Sequence, residues 1–202
     1  MTPIRVAVID DHPVVREGTA ALIGQEDDML VVGLAASLEE AEPMLAATDV
    51  DVLLLDLRLG QDFGFRLFER VPVEARPAVV VLTSYDYPQY VDAALRLGAA
   101  GYVLKTAPIA ELLDAVRRAA SGKLAFGVRP GGSPPPLSAR EREVVRLVTD
   151  GLSNDEIATR LSISPKTVES HLRRMFERHG LASRTELATR ALRDGWLDLP
   201  TR

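Results

Sequence analysis

Short β-branched apolar runs at residues 5–10, 30–35, 52–56, 78–83 and 101–104 alternate with stretches of helical spacing at 13–25, 38–48, 63–71, 88–97 and 109–121. Strands that alternate with helices build a parallel sheet covered on both faces. Right-handed crossovers then leave the doubly wound α/β sandwich, here with a five-stranded parallel sheet, as the expected fold. Val52-Leu53-Leu54-Leu55 and Val79-Val80-Val81-Leu82 are continuously apolar, as central strands buried on both faces require.

The alternation stops after Ser121-Gly122-Lys123. Arg129-Pro130-Gly131-Gly132-Ser133-Pro134-Pro135-Pro136 has the composition of a linker. Domains are therefore expected over 1–121 and 137–202, with a linker over 122–136, and 202 residues suffice for both. The second domain reads as all-α. Ser138-Ala139-Arg140-Glu141, Ser153-Asn154-Asp155-Glu156 and Ser183-Arg184-Thr185-Glu186 each fit the capping box, and Ser164-Pro165 gives an N-cap followed by proline. Four helices are expected, near 138–150, 154–161, 165–178 and 184–194. Trp196 is expected to cap the apolar end of the last one, with a part in dimerisation as the alternative.

Charge is unevenly spread. Residues 1–133 carry 12 basic against 19 acidic side chains (−7), and residues 134–202 carry 12 against 10 (+2). This suits a cation site joined to a module for a polyanion, but two unrelated soluble domains can differ as much. There is no cysteine, which excludes disulfides, thiolate metal sites and cysteine catalysis. No apolar run approaches the roughly 18 residues of a membrane span, and the N-terminus lacks the features of a signal peptide, so a cytoplasmic protein is expected.

In an open parallel sheet, ligands bind beyond the carboxyl ends of the strands. Those ends carry Asp10-Asp11, Asp56, Thr83-Ser84 and Lys105. Taken singly, a strand-terminal aspartate is explained by turn formation. Three carboxylates together repel one another unless a hard divalent cation sits among them, and Mg²⁺ suits carboxylates that also meet phosphoryl oxygens. Asp56 could then act as a carboxylate nucleophile, while Lys105 offsets charge on the transferred group and Thr83 donates to it.

Across residues 4–121 the chain resembles the receiver domains of two-component response regulators, which are flavodoxin-like. The resemblance rests on Asp10-Asp11, the apolar run into Asp56, Thr83 after residues 79–82, and Gly101-Tyr102-Val103-Leu104-Lys105. It implies Asp56 as phosphoacceptor and Asp10, Asp11, Asp56 and the backbone carbonyl of Arg58 as Mg²⁺ ligands. It also implies Thr83 and Tyr102 as switch residues, Lys105 as phosphate partner, and a sensor histidine kinase as donor. The alternative for Tyr102 is an edge-strand aromatic covering the core. Gly60 stands where the family usually has proline, and a looser loop is expected there. Thr106 likewise replaces a common proline.

In the second domain, helix 154–161, a Ser162-Ile163-Ser164 turn and helix 165–178 form a helix-turn-helix pattern. Val168, Leu172, Met175 and Phe176 make the buried stripe, opposite Lys166, Glu169, Ser170, Arg173, Arg174 and Glu177. Periodicity alone also allows a plain helical bundle. However, Leu137–Val144, Gly151–Ala158 and Ser164–His171 resemble the LuxR-type module of the NarL/FixJ family. That resemblance points Glu169, Ser170 and Arg173 at base edges, while Lys166, Thr167 and Arg174 would touch phosphates. A charge of only +2 implies weak binding by one copy, so a homodimer on double-stranded DNA is expected. The resemblance implies that the last helix supplies the dimer contact, with Leu187, Ala191 and Leu192 as candidates shared between core and interface.

The expected function is a transcriptional response regulator activated by Mg²⁺-dependent phosphorylation of Asp56. It is not expected to be an enzyme. A constitutive DNA-binding protein with an unused receiver remains open. A phosphohydrolase is disfavoured, because Arg58 stands where a second acid/base carboxylate would be expected.

Overall fold

The long apolar runs become the middle of a sheet. In the computed structural model, which describes residues 2–127 and 137–197, β1 is Ile4–Ile9, β2 Met29–Ala35 and β3 Val52–Leu55. Between them lie α1 (Pro13–Ile23) and α2 (Leu38–Ala47). A two-stranded antiparallel hairpin follows, β4 (Arg58–Leu59) with β5 (Asp62–Phe63), then a short α3 (Leu67–Arg70). β6 (Ala78–Thr83), α4 (Pro88–Leu97), β7 (Gly101–Leu104) and α5 (Ile109–Ala120) complete the expected alternation. All five expected strands lie in one parallel sheet of order β2-β1-β3-β6-β7.

Side chains alternate across this sheet. Val6, Val8, Leu54, Val80, Leu82 and Val103 pack with Ile23 of α1 and with Leu112, Leu113 and Val116 of α5. Their neighbours Ala7, Ile9, Leu53, Leu55, Val79 and Val81 are also buried, so the central strands are covered on both sides.

Two features depart from expectation. Residues 63–71 were expected as one helix, but Phe63 is strand, Gly64–Arg66 is a 3-10 turn, and only Leu67–Arg70 is α-helical. The cause is a close approach: a Cβ on Gly64 would lie 2.1 Å from the Asp56 carbonyl oxygen. The Gly64 N–H also donates to Leu57 O, so the chain is held flat against the loop after β3 before it can coil. Secondly, Ala125–Phe126 lies within the segment expected as linker. It instead forms a sixth strand, β8, parallel to β7 at the edge of the sheet. Residues 128–136, which include the Arg129–Pro136 linker run, lie outside the described residues.

The chain divides into two units, Met1–Gly131 and Gly132–Arg202. The second contains α6 (Ala139–Thr149), α7 (Asn154–Leu161), α8 (Pro165–His179) and α9 (Arg184–Arg193), which matches the four expected helices. Ser138 and Ser153 form complete capping boxes with Glu141 and Glu156. At the third start, Ser183 accepts from Glu186 N, but the Glu186 carboxylate turns one residue earlier and accepts from Ala182 N. Val144, Val145, Ile157, Val168, Met175, Leu187 and Ala191 make the core. Trp196 closes it: the indole is buried, stacks on His179 at 4.4 Å, and its backbone N–H donates to Ala191 O at the end of α9.

Candidate functional site

β1 and β3 are neighbours from which the chain winds in opposite directions, so the crevice beyond their carboxyl ends is the ligand position of such a sheet. Asp10 and Asp56 emerge there, both almost fully buried. Lys105, just after β7, reaches across with Nζ 2.7 Å from both Asp10 Oδ2 and Asp56 Oδ2. Burial lifts the Asp56 carboxyl above the usual carboxylate range, although Lys105 opposes this. For Lys105, burial pulls the ammonium down, but hydrogen bonds to Asp10 and Asp56 outweigh it and hold the pKa above its ordinary value. The ammonium bridge thus takes one oxygen of each carboxylate, Asp10 Oδ2 and Asp56 Oδ2.

Asp11 sits nearer the surface. His12 Nδ1 lies 2.7 Å from its Oδ1, and the Gly60 N–H donates to its Oδ2 at 2.9 Å. The looser loop expected at Gly60 is not what forms. Gly60 has φ +62° and occupies the tip of the β4–β5 hairpin, tied back to Asp11. Proline, with φ fixed near −65° and no N–H, could fill neither role. The Arg58 guanidinium lies over the rings of Phe63 and Tyr85, 5.4 and 5.9 Å from their centroids.

Ligand atoms of Asp10, Asp11, His12 and Asp56 all lie within 4.8 Å of one another. Asp56 Oδ1 is buried without a well-formed hydrogen bond among the described residues. Carboxylate oxygens at this spacing, one of them orphaned, fit a hard divalent cation.

Thr83 ends β6 fully buried, and its Oγ1 accepts a long bond, 3.4 Å, from Tyr85 N. Tyr102 on β7 is also fully buried and donates its hydroxyl to Tyr85 O at 2.5 Å. Burial raises the phenol pKa far above its usual value, so the hydroxyl stays a neutral donor. Tyr85 thus joins Thr83 to Tyr102. Sequence reasoning missed it because its backbone atoms make both bonds and leave no side-chain signal. It also missed His12, whose place beside Asp10-Asp11 was a readable cue, and the ring cluster of Phe63, Phe65, Tyr85, Tyr87 and Tyr90.

In the second unit, Ser162 adopts φ +53° to close α7, and Ser164 caps α8 by accepting from Thr167 N. Val168, Leu172 and Met175 are buried as expected, and Phe176 is half-buried. Lys166, Thr167, Glu169, Arg173 and Arg174 are exposed and Ser170 is half-exposed, so the six expected contact residues share the outer face of α8. Some are already engaged locally. Ser170 Oγ donates to Lys166 O, Thr167 Oγ1 lies 2.8 Å from Ser164 Oγ, and Arg174 lies 3.1 Å from His171 Nδ1. On α9, Leu187 and Ala191 are wholly inside the unit's own core, whereas Leu192 is 63% exposed.

Residues 6–117 match the family described as the response regulator receiver domain, and residues 135–191 that of bacterial regulatory proteins of the luxR family. The chain is 37% identical over 203 residues to the transcriptional regulatory protein UhpA of Salmonella typhimurium, across 96% of this chain and all of that one. It is 32% identical over 202 residues to the nitrate/nitrite response regulator NarL of Escherichia coli, across 92% and 94% of the two chains. Among solved structures, RcsB dimers bound to DNA resemble it with a TM-score of 0.70 at 27% identity, across 96% and 99%.

Proposed function

Because the chain belongs to the NarL/FixJ family of two-component response regulators, which pair a receiver domain with a LuxR-type DNA-binding domain, we propose that phosphorylation of Asp56 controls its binding to DNA as a dimer. The observation that carries this reading is the Lys105 ammonium held 2.7 Å from both Asp10 and Asp56 at the strand ends.

An Asp56 carboxylate oxygen attacks the phosphorus of a phosphohistidine on a sensor histidine kinase. The P–N bond breaks and an acyl phosphate forms. Lys105 passes from bridging two carboxylates to pairing with the new phosphoryl oxygens, which offsets their charge. Asp10, Asp11, Asp56 and the Arg58 backbone carbonyl would hold Mg²⁺. When bound, the ion supplies charge neutralisation of the phosphoryl oxygens. Thr83 and Tyr102 then report the change through the Tyr85 backbone they share.

On the DNA side, Arg173 and Glu169 would read base edges with Ser170, while Lys166, Thr167 and Arg174 set register on phosphates. Exposed Leu192 on α9 is the candidate dimer contact, and RcsB provides a dimeric, DNA-bound precedent. This reading puts the protein in the cytoplasm. Among the described residues no helix is long and apolar enough to cross a membrane. It is also read as a regulator rather than a phosphohydrolase: Asp62, the next carboxylate after Asp56, is bonded to Arg66.

The test is to incubate the full chain with acetyl phosphate and Mg²⁺ and read intact mass. We expect one added phosphoryl group, lost in Asp56→Asn and in chelator, together with tighter binding to selected DNA. A phosphoprotein that persists in Asp56→Asn would sink the assignment. No phosphoprotein at all would favour a constitutive DNA-binding protein.

A further inference from the structure

The chain that leaves α5 turns back onto the sheet before it departs. Gly122, at φ +73°, makes the reversal, and Lys123 N donates to Arg118 O. The Arg118 guanidinium then grips the Leu124 carbonyl through Nε at 3.1 Å and a terminal nitrogen at 2.8 Å. Ala125 N donates to Ala100 O at 2.7 Å, and Gly127 N donates to Tyr102 O at 3.3 Å. In register, Gly101 faces Ala125 and Tyr102 faces Phe126. The approach is close on both sides. A Cβ on Gly101 would stand 2.7 Å from the Ala125 carbonyl oxygen, and one on Gly127 would meet the Glu111 carboxylate.

Little apolar burial holds this strand. Ala125 is buried, but Leu124 is 58% exposed and Phe126 only half-buried. A two-residue strand fixed by backbone bonds and one arginine gains little beyond the entropy lost in ordering it. It is therefore poised to open at the cost of uncovering one small core side chain, Ala125. Its partner on the sheet is Tyr102, whose hydroxyl is bonded to Tyr85, which in turn bonds Thr83. One residue thus holds the loop after Thr83 with its side chain and the exit of the domain with its backbone.

We propose that Ala125–Gly127 is a releasable clasp by which Tyr102 governs the segment leading toward the DNA-binding domain. With Tyr102 seated against Tyr85 the clasp is closed; when that seat is lost, Ala125 and Gly127 let go. The link to phosphorylation rests on the function proposed above, whereas the link to Tyr102 does not.

Amide hydrogen exchange on the full chain tests both. In unphosphorylated Tyr102→Phe, which keeps the ring and loses the bond to Tyr85, exchange at Ala125 and Gly127 should quicken by about fivefold or more, while Leu54 and Val80 in the sheet centre stay unchanged. By reciprocity, Ala125→Pro, which deletes the donor to Ala100, should quicken exchange at Tyr85. Arg118→Gln serves as the milder opening if the proline variant folds poorly. Equal exchange at Ala125 and Gly127 in Tyr102→Phe and the parent chain overturns the clasp. Acetyl phosphate with Mg²⁺ adds a second arm, with intact mass read in parallel. A phosphoprotein with altered exchange at the two amides supports the proposal, and one without it refutes the proposal. If no phosphoprotein forms, the phosphorylation reading fails, and the Tyr102→Phe result still decides the clasp.

Discussion

Single side chains in this protein are set by what surrounds them more than by their type. His179 shows this most clearly. It stacks on Trp196, and Arg178 Nε donates to its Nε2 at 3.3 Å. Burial first, then the Arg178 charge, lowers its pKa from the usual 6.5 to about 4. The folded helical unit therefore holds this imidazole neutral, while the unfolded chain protonates it near 6.5. Stability is complete above the unfolded value and falls as pH drops toward 4, because the unfolded state then binds the extra proton. For a half-buried group this contributes on the order of 1–2 kcal/mol. We expect the urea midpoint of the helical unit to fall between pH 6.5 and 5, and His179→Phe to flatten that slope. Below that range Glu141 takes over. Burial works against its charge, but Arg178 and Ser138 outweigh it and hold the carboxyl below its usual value.

Among the elements, α8 carries the sharpest expectation. Arg173 and Lys166 both lie on its exposed face but are assigned different work. Arg173→Ala should cost about 1–3 kcal/mol at one base position and relax preference there, as competition with single-base variants of a selected site would show. Lys166→Ala should weaken all sequences about equally and reduce the salt slope by about one. The same helix was legible in the sequence because fifteen residues offer several turns of apolar spacing and a Ser-Pro start. The β4–β5 hairpin and β8 were not, because a two-residue strand has no period to detect. α3 was over-read for another reason. The apolar spacing of Phe63, Leu67 and Phe68 is real, but Gly64 must lie flat against Asp56, a constraint that comes from a residue eight positions away. The five strand-end side chains were legible together, since alternation fixes where each strand stops. The bonds from Gly60 N to Asp11 and from Tyr85 N to Thr83 were not, because they use backbone atoms that every residue type shares.

At the scale of the whole molecule, an α/β unit and an all-helical unit each have their own core, one centred on Leu54 and Val80, the other on Ile157 and Met175. Neither core uses the acidic cluster. Chelator should therefore leave both units folded, and Mg²⁺ should stabilise the first against thermal unfolding only by the amount mass action allows, about 1–2 kcal/mol at millimolar ion. A cooperative loss of structure in chelator would mean the cluster is a structural staple instead. The reason for expecting stability is Lys105, lodged between Asp10 and Asp56. A site that brings its own counter-ion can be synthesised and stored ahead of need, and any metal arriving later finds one oxygen of each of these two carboxylates already taken. Its readiness to respond is then tuned by how firmly one lysine is seated, a quantity that mutation can adjust without touching Asp56.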